Sequence, residues 1–418
     1  MTIRFSGWVA FPALLIACVA SADELPIARP EEAGMSSERL SKVSAAMDEL
    51  VKEKKLAGGI VMIARRGKVV HLQSHGMLDI EAEIPMRDDA IVRIYSMTKA
   101  ITTVAALKLY DEGKLGLDDP VSKHLPEMKG CSVQGKDGLF IPEQEMTIRD
   151  LMQHTAGLSY GASGNEVADT LFREANVLDP NSTLADMTGK LGQLPLTFEP
   201  GKDWQYGVSS DVLGRVVEVV SGQPLDEYFQ QHIFAPLDMK DTGFFVPDDK
   251  LERFAVNYTS DGKGKLTPLD APAKSAYRKS PVLLSGGGGL VSTARDYMRF
   301  LMMIAQGGEL DRMRILSNKS VGLMTSNQLP ESVGWIKFGT EVREGVGFSL
   351  GFSVRVKSST WDPQSRIGEY GWGGAASTHY WTSPKDELIV VTMEQTMPYS
   401  FLTEFAVKGL IYDAVIAE

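Results

Sequence analysis

Ser96 and Lys99 stand three residues apart at the head of a run, Ala100-Ile101-Thr102-Thr103-Val104-Ala105-Ala106-Leu107-Lys108-Leu109, that is apolar nearly all round. A helix with no polar face is a buried one. Positions i and i+3 share a helical face, so the Lys99 amine can reach the Ser96 oxygen. A core helix gains nothing structural from a hydroxyl and an amine at its head. Partial desolvation lowers the proton affinity of a lysine and suits it to act as a base. The pair therefore predicts a serine nucleophile activated by a lysine. Four letters, S-x-x-K, equally describe an N-cap serine beside a solvated lysine, so the rest of the chain has to carry the case.

Two further segments supply what such a nucleophile needs. Tyr206 lies in Pro200-Gly201-Lys202-Asp203-Trp204-Gln205-Tyr206-Gly207-Val208, a loop that runs straight into a helix. A phenol just before a helix N-terminus feels the positive end of the dipole, and beside Lys99 it could take the Ser96 proton and pass it to a leaving group. Lys99 is then either the neutral base or a cation that helps Tyr206 give up its proton; coupled groups share their titration. The second segment is Glu369-Tyr370-Gly371-Trp372-Gly373-Gly374-Ala375-Ala376-Ser377. Its small residues let a substrate carbonyl approach the backbone closely. The amides of Ser96 and Ala375 are the candidate oxyanion hole, with Trp372, Gly373 and Gly374 as candidate substrate-binding residues.

Other signals fit bland readings. Gly157-Leu158-Ser159-Tyr160-Gly161 matches G-x-S-x-G, but that elbow needs a buried strand before it and a helix after it. Here a helix-like segment precedes, so Ser159 reads as a loop residue. Gly286 to Gly289 lack the Gly-Lys-Ser/Thr of a phosphate loop and read as close packing beside the site. His71 and His75 sit on strand-like sequence, which does not suit metal ligation. His379 is a candidate for the cleft wall, and Trp204, Trp335, Trp361 and Trp381 could shape an apolar pocket.

The elements that must position these groups follow from periodicity. Leu40, Val43, Met47, Leu50 and Val51 recur at helical spacing after a Ser36-Ser37 start. Gly59 to Ala64 and Val69 to Leu72, joined by Arg65-Arg66-Gly67-Lys68, read as a hairpin. Thr147 caps a short helix, and Ser209 or Ser210 caps the helix that stops at Gly222. The last third returns to strands: Gly351 to Val356, Thr378 to Trp381, and Leu388 to Met393 after a Ser383-to-Asp386 turn. A terminal helix covers about 401–417. Strands at both ends with helices between predict one mixed sheet completed by both termini, with a helical lobe inserted.

The chain has 418 residues and a formal net charge of −11, without a Lys/Arg cluster. That argues against nucleic acid and anionic lipid as partners. Arg4, an apolar stretch from Gly7 to Ala20 and Ala20-Ser21-Ala22 read as an export signal cleaved before Asp23; Leu15-Ile16-Ala17-Cys18 offers the alternative of a lipoprotein anchored through Cys18. No later apolar run is long enough to span a bilayer. After processing Cys131 is the one cysteine left, so no internal disulfide forms.

Taken together, Tyr95-Ser96-Met97-Thr98-Lys99-Ala100, His154-Thr155-Ala156-Gly157-Leu158, Tyr206 with Asp211-Val212-Leu213-Gly214, and Gly286 to Asp296 resemble the class C β-lactamases and penicillin-recognising serine hydrolases. They most resemble the family VIII carboxylesterases. The resemblance implies an α/β plus all-α, β-lactamase-like fold: an antiparallel sheet flanked by helices, with an inserted helical domain. Residues 1–22 would be the signal, 23–114 with 281–418 the α/β domain, and 115–280 the insertion. It implies an acyl-enzyme on Ser96, proton handling by Lys99 and Tyr206, and no metal or cofactor. Two departures choose the branch. Tyr206 is followed by Gly207 and Val208 where class C enzymes have Tyr-x-Asn, and Trp372-Gly373-Gly374 replaces Lys-Thr-Gly. Without that cation the site should favour neutral short- to medium-chain esters, with weak β-lactam hydrolysis at most as a side activity. The rivals are a class C-like β-lactamase or D-Ala-D-Ala peptidase, and a non-catalytic binding protein on the same scaffold.

Overall fold

A computed structural model describes residues 25–416. The expected signal segment, its cleavage site and Cys18 lie outside the described residues. α1 (Ser37–Lys52) begins where the Ser36 hydroxyl accepts a hydrogen bond from the Arg39 N–H and buries Leu40, Val43, Met47 and Leu50 along one stripe. β1 (Gly58–Arg65) and β2 (Lys68–Asp79) form the expected hairpin, with a bulge between Ile63 and Ala64. A short β3 (Ile84–Pro85) follows on β2. α2 (Thr98–Asp111) is buried from Thr98 through Leu107, as its composition requires.

The span 115–280 carries α3 (Ile148–Gln153), α4 (Glu166–Ala175), α5 (Leu184–Leu191), α6 (Ser209–Ser221) and α7 (Leu225–Phe229). It also carries two hairpins, one of which, Asn257–Ser260 with Leu266–Asp270, pairs with Thr396–Met397 near the C-terminus. α8 (Ala294–Ala305) and α9 (Asn318–Thr325) lead into β4 (Val346–Phe348), β5 (Ser353–Arg355), β6 (Tyr370–Gly373), β7 (His379–Ser383) and β8 (Leu388–Glu394), and α10 (Leu402–Ala414) closes the chain.

The main sheet has eight strands in the order β4-β5-β6-β7-β8-β1-β2-β3, every pair antiparallel. β8 beside β1 joins the two ends of the chain in one sheet. Helices cover both faces, which is why every residue of β1 and β8 is buried. The two-residue period of a strand divides β1 between two cores. Val61 and Ile63 pack with α1 and α10, while Ile60, Met62 and Ala64 face the larger core that holds α2 and α8.

Two local expectations are corrected. Ser209 and Ser210 do not cap α6: the cap position is Val208, with no side-chain bond, and both serines are already buried inside the helix. The cause is packing, since a Cβ on Gly207 would lie 2.2 Å from the Leu158 carbonyl oxygen. The helix entrance is pressed against that backbone, which leaves no exposed turn for a serine to cap. The strand expected from Gly351 to Val356 shrinks to Ser353–Arg355. Gly351 has φ +98°, and the Ser349 hydroxyl accepts from the Phe352 N–H, so the chain turns before it extends.

Candidate active site

Ser96 sits in a tight turn, Tyr95–Met97, that feeds directly into α2. Tyr95 holds φ +40°, a left-handed conformation costly for a bulky side chain. The turn is fixed from α8, where the Tyr297 hydroxyl donates to the Met97 carbonyl at 2.9 Å. Lys99 lies in the first turn of α2 and is 2 % exposed. Its Nζ donates to Ser96 Oγ at 3.3 Å, to the Tyr160 hydroxyl at 3.1 Å and to the Gly287 carbonyl at 2.6 Å. The Tyr206 ring centroid lies 4.6 Å from the same nitrogen. The structure thus brings Ser96, Lys99 and Tyr206 together around one amine.

Lys99 departs from the expectation of a weakened base. Burial acts against its charge, but Tyr160, Tyr206 and Asp211 outweigh that penalty, so its pKa lies above the ordinary lysine value. Three acceptors for Nζ match the three donors of an ammonium. Of the two roles left open by the sequence, the surroundings favour the cation.

The acceptor loop is itself held in place. Asp211, fully buried in the first turn of α6, accepts from the Ser285 hydroxyl and from the Gly287 N–H at 3.0 Å. Burial raises its pKa against the pull of Lys99. Thr102 of α2 donates to the Gly286 carbonyl at 2.6 Å, and the Thr98 hydroxyl accepts from the Leu290 N–H at 3.2 Å. Close approach explains the glycines: a Cβ on Gly287 would lie 2.4 Å from Asp211 Oδ2.

Tyr206 is wedged among rings. His154 lies 5.1 Å away between centroids, Trp204 6.2 Å and Trp372 5.4 Å. Burial, then the Lys99 charge, holds the His154 pKa well below its ordinary value, so that ring is neutral. The Trp372 indole N–H donates to the Tyr206 oxygen at 3.3 Å. Gly374 brings the end of β6 against the Tyr95–Met97 turn: a Cβ there would be 2.4 Å from the Ile94 carbonyl oxygen.

Ser96, Tyr206, Trp372, Gly373, Gly374 and Ala375 all line one cavity of about 460 Å³, with Lys99 buried behind Ser96. Trp361 and Trp381 reach this cavity; Trp204 and Trp335 are not among its lining residues. His379 stands one layer back, its Nε2 3.2 Å from the Tyr399 hydroxyl, which does line it. Ser159 is a loop staple, donating to Asp169 at 3.0 Å and accepting from the Gly161 and Ala162 amides. Cys131 is buried, and burial pushes its thiol pKa up. His71 and His75 lie on β2, where the His75 ring bonds Asp48 at 2.8 Å.

Sequence reasoning missed Tyr160, Asp211 and the Gly287 carbonyl. A carboxylate in the first turn of an otherwise apolar helix was a usable signal for Asp211. Tyr160 carried no periodic signal, being in an irregular loop.

A β-lactamase family model matches residues 43–406. Esterase EstB of Burkholderia gladioli is 34% identical over 281 residues, covering 63% of this chain and 69% of its own. Protein Rv1367c of Mycobacterium tuberculosis is 34% identical over 355 residues, covering 82% of this chain and 86% of its own. Among solved structures, EstCE1, described as a hydrolase with promiscuous acyltransferase activity, superposes with a TM-score of 0.78 at 26% identity, covering 90% of this chain and 98% of that one. The chain belongs to the β-lactamase family of serine hydrolases, in the branch that includes esterases.

Proposed function

We propose that the protein is a serine carboxylesterase that hydrolyses short- to medium-chain esters through an acyl-enzyme on Ser96. The observation that carries this reading is the position of the Lys99 amine, 3.3 Å from the Ser96 oxygen and 4.6 Å from the Tyr206 ring centroid, at the back of one cavity. Ser96 Oγ attacks the ester carbonyl carbon, and its proton passes to the oxygen of Tyr206, which acts as the phenolate beside the Lys99 ammonium and becomes the neutral phenol. Lys99 balances the negative charge moving between the two oxygens. The Ser96 and Ala375 amides receive the oxyanion, donors typically worth about 3 kcal/mol each in the transition state. Tyr206 then protonates the leaving alcohol. Water attacks the acyl carbon by the same route in reverse and frees the acid and Ser96. No step calls on a metal or cofactor.

Trp372 supports the ester over the lactam. Its indole N–H donates to the Tyr206 oxygen, and it stands where the lactamase pattern carries the cation that pairs with a substrate carboxylate. Comparing p-nitrophenyl butyrate with a chromogenic cephalosporin checks the choice. The ester should be turned over far faster; cephalosporin hydrolysis outpacing it would make the protein a β-lactamase. From residues 1–22 we also propose export, with the mature chain beginning at Asp23. N-terminal sequencing of the secreted or periplasmic protein reads that start directly.

A further inference from the structure

The cavity does not stop at the reacting residues. Beyond Trp372 it follows β6 to Glu369 and ends on a wall of buried charge. Lys408, 1 % exposed, donates to Glu404 at 2.7 Å and Glu369 at 2.8 Å and lies 3.4 Å from Asp362. Arg355, 6 % exposed, pairs with Asp362 at 3.0 Å, and Arg343 pairs with Glu341 at 3.0 Å. The Trp361 ring lies against both guanidiniums, 4.6 Å from Arg343 Cζ and 5.0 Å from Arg355 Cζ.

The described residues leave part of this wall unsatisfied. Arg343 Nε, Arg355 Nη1 and Trp361 Nε1 are buried donors that find no acceptor among the described residues. Leaving buried donors unmatched is destabilising. Ligand pockets keep a few such groups among apolar walls to orient what they bind. The charges also say what kind of group fits. Three cations, Arg343, Arg355 and Lys408, face three largely buried carboxylates, Asp362, Glu369 and Glu404, while Glu341, the partner of Arg343, is exposed to solvent. A further carboxylate would tip this balanced, low-dielectric end to a net negative charge. An uncharged oxygen would accept the free N–H groups at no such penalty.

Position says which half of the substrate arrives there. Tyr206 hands its proton to the leaving alcohol, and Trp372 holds the Tyr206 oxygen. From the oxyanion side at Ala375, β6 leads past Trp372 towards Glu369, so the alcohol points down the cavity. Trp372 to Glu369 spans about 10 Å at about 3.3 Å per strand residue.

We propose that this end of the cavity is a subsite for the alcohol half of the ester, and that it takes an uncharged carbonyl oxygen hydrogen-bonded by Arg343, Arg355 and Trp361. The substrates it selects are esters of alcohols that carry a keto or second ester carbonyl roughly a 10 Å reach from the scissile oxygen. The inference rests on the ester-hydrolase reading above.

The test compares kcat/KM for four acetates: ethyl, nonyl and 8-oxononyl acetate, and 8-acetoxyoctanoate, the carboxylate isostere of the ketone. The ketone should exceed nonyl acetate by about tenfold, the worth of a good hydrogen bond to a charged donor, and the carboxylate should fall below both. In Arg343→Met and in Trp361→Phe the ketone-to-nonyl ratio should drop towards one; a ratio within each protein cancels any general loss. Nonyl acetate hydrolysed as well as the ketone, a carboxylate preferred to it, or a ratio unmoved in both variants overturns the subsite and leaves the esterase reading standing. No turnover of any acetate overturns the esterase reading and the subsite with it.

Discussion

At the scale of single residues the chemistry reduces to one cation and its acceptors. Removing the nucleophile from a unit of this kind typically costs on the order of 10⁶ in turnover. Ser96→Ala should therefore lower kcat on p-nitrophenyl butyrate by about that factor, with Tyr206→Phe and Lys99→Met nearly as severe and the circular dichroism spectrum unchanged. Trp372→Phe keeps the ring and removes only the N–H to Tyr206; a net hydrogen bond of about 1 kcal/mol predicts a fall of roughly five- to tenfold in kcat. Ser159→Ala should reduce the unfolding free energy by about 1–2 kcal/mol, because the Asp169 and amide partners lose their contact, while hydrolysis persists. The meeting of Ser96, Lys99 and Tyr206 was legible in the chain because their motifs sit at element starts. The charge of Lys99 was not, because it is set by Tyr160 and Asp211, which arrive from distant segments.

The elements explain why these side chains meet. α2 supplies Lys99 and uses Thr98 and Thr102 to hold the Gly286–Leu290 loop. α6 supplies Asp211, which grips the Gly287 N–H while Lys99 takes the carbonyl of the same residue. Gly287→Ala puts a Cβ 2.4 Å from Asp211 Oδ2, so the loop must move. Displacing a catalytic group by about 1 Å can cost roughly 10²-fold, and kcat should fall by about that much with KM changed far less. Steady-state kinetics on the purified variant separates the two constants. Strong periodicity made α1, the β1–β2 hairpin and β8 readable. The short β4, the bounds of β5 and the uncapped entrance of α6 were not, since turns, glycine contacts and tertiary packing decide them, not local pattern.

The molecule is built on one eight-stranded antiparallel sheet in which β1 pairs with β8, and 115–280 is stitched to it by polar contacts as well as core. Asp296 of α8 is one such stitch. It is 1 % exposed and accepts from the Asp241 N–H at 2.7 Å and the Thr242 hydroxyl at 3.0 Å. Burial lifts its pKa from 3.8 to about 6. The folded state then binds the proton more tightly than the unfolded chain. Stability from this group is full below about pH 4 and is lost as pH rises through about 6, a change of about 3 kcal/mol. Asp296→Asn removes that slope, so urea midpoints of wild type and variant should diverge between pH 4 and 6 and run parallel above it. Strands read at the two ends of the chain foretold that they share a sheet, but not that this sheet, expected to be mixed, is antiparallel throughout, and no local signal reveals a stitch between segments far apart in sequence. Such a distance also separates Tyr206 from Ser96 and Lys99, and their proposed joint action at Ser96 is the claim to test first. Labelling the protein with a fluorophosphonate probe and mapping the adduct by peptide mass spectrometry does so. The account predicts one adduct, on the peptide containing Ser96, with loss of esterase activity in step with labelling. An adduct on Ser159, or full activity after Ser96 is occupied, would contradict it.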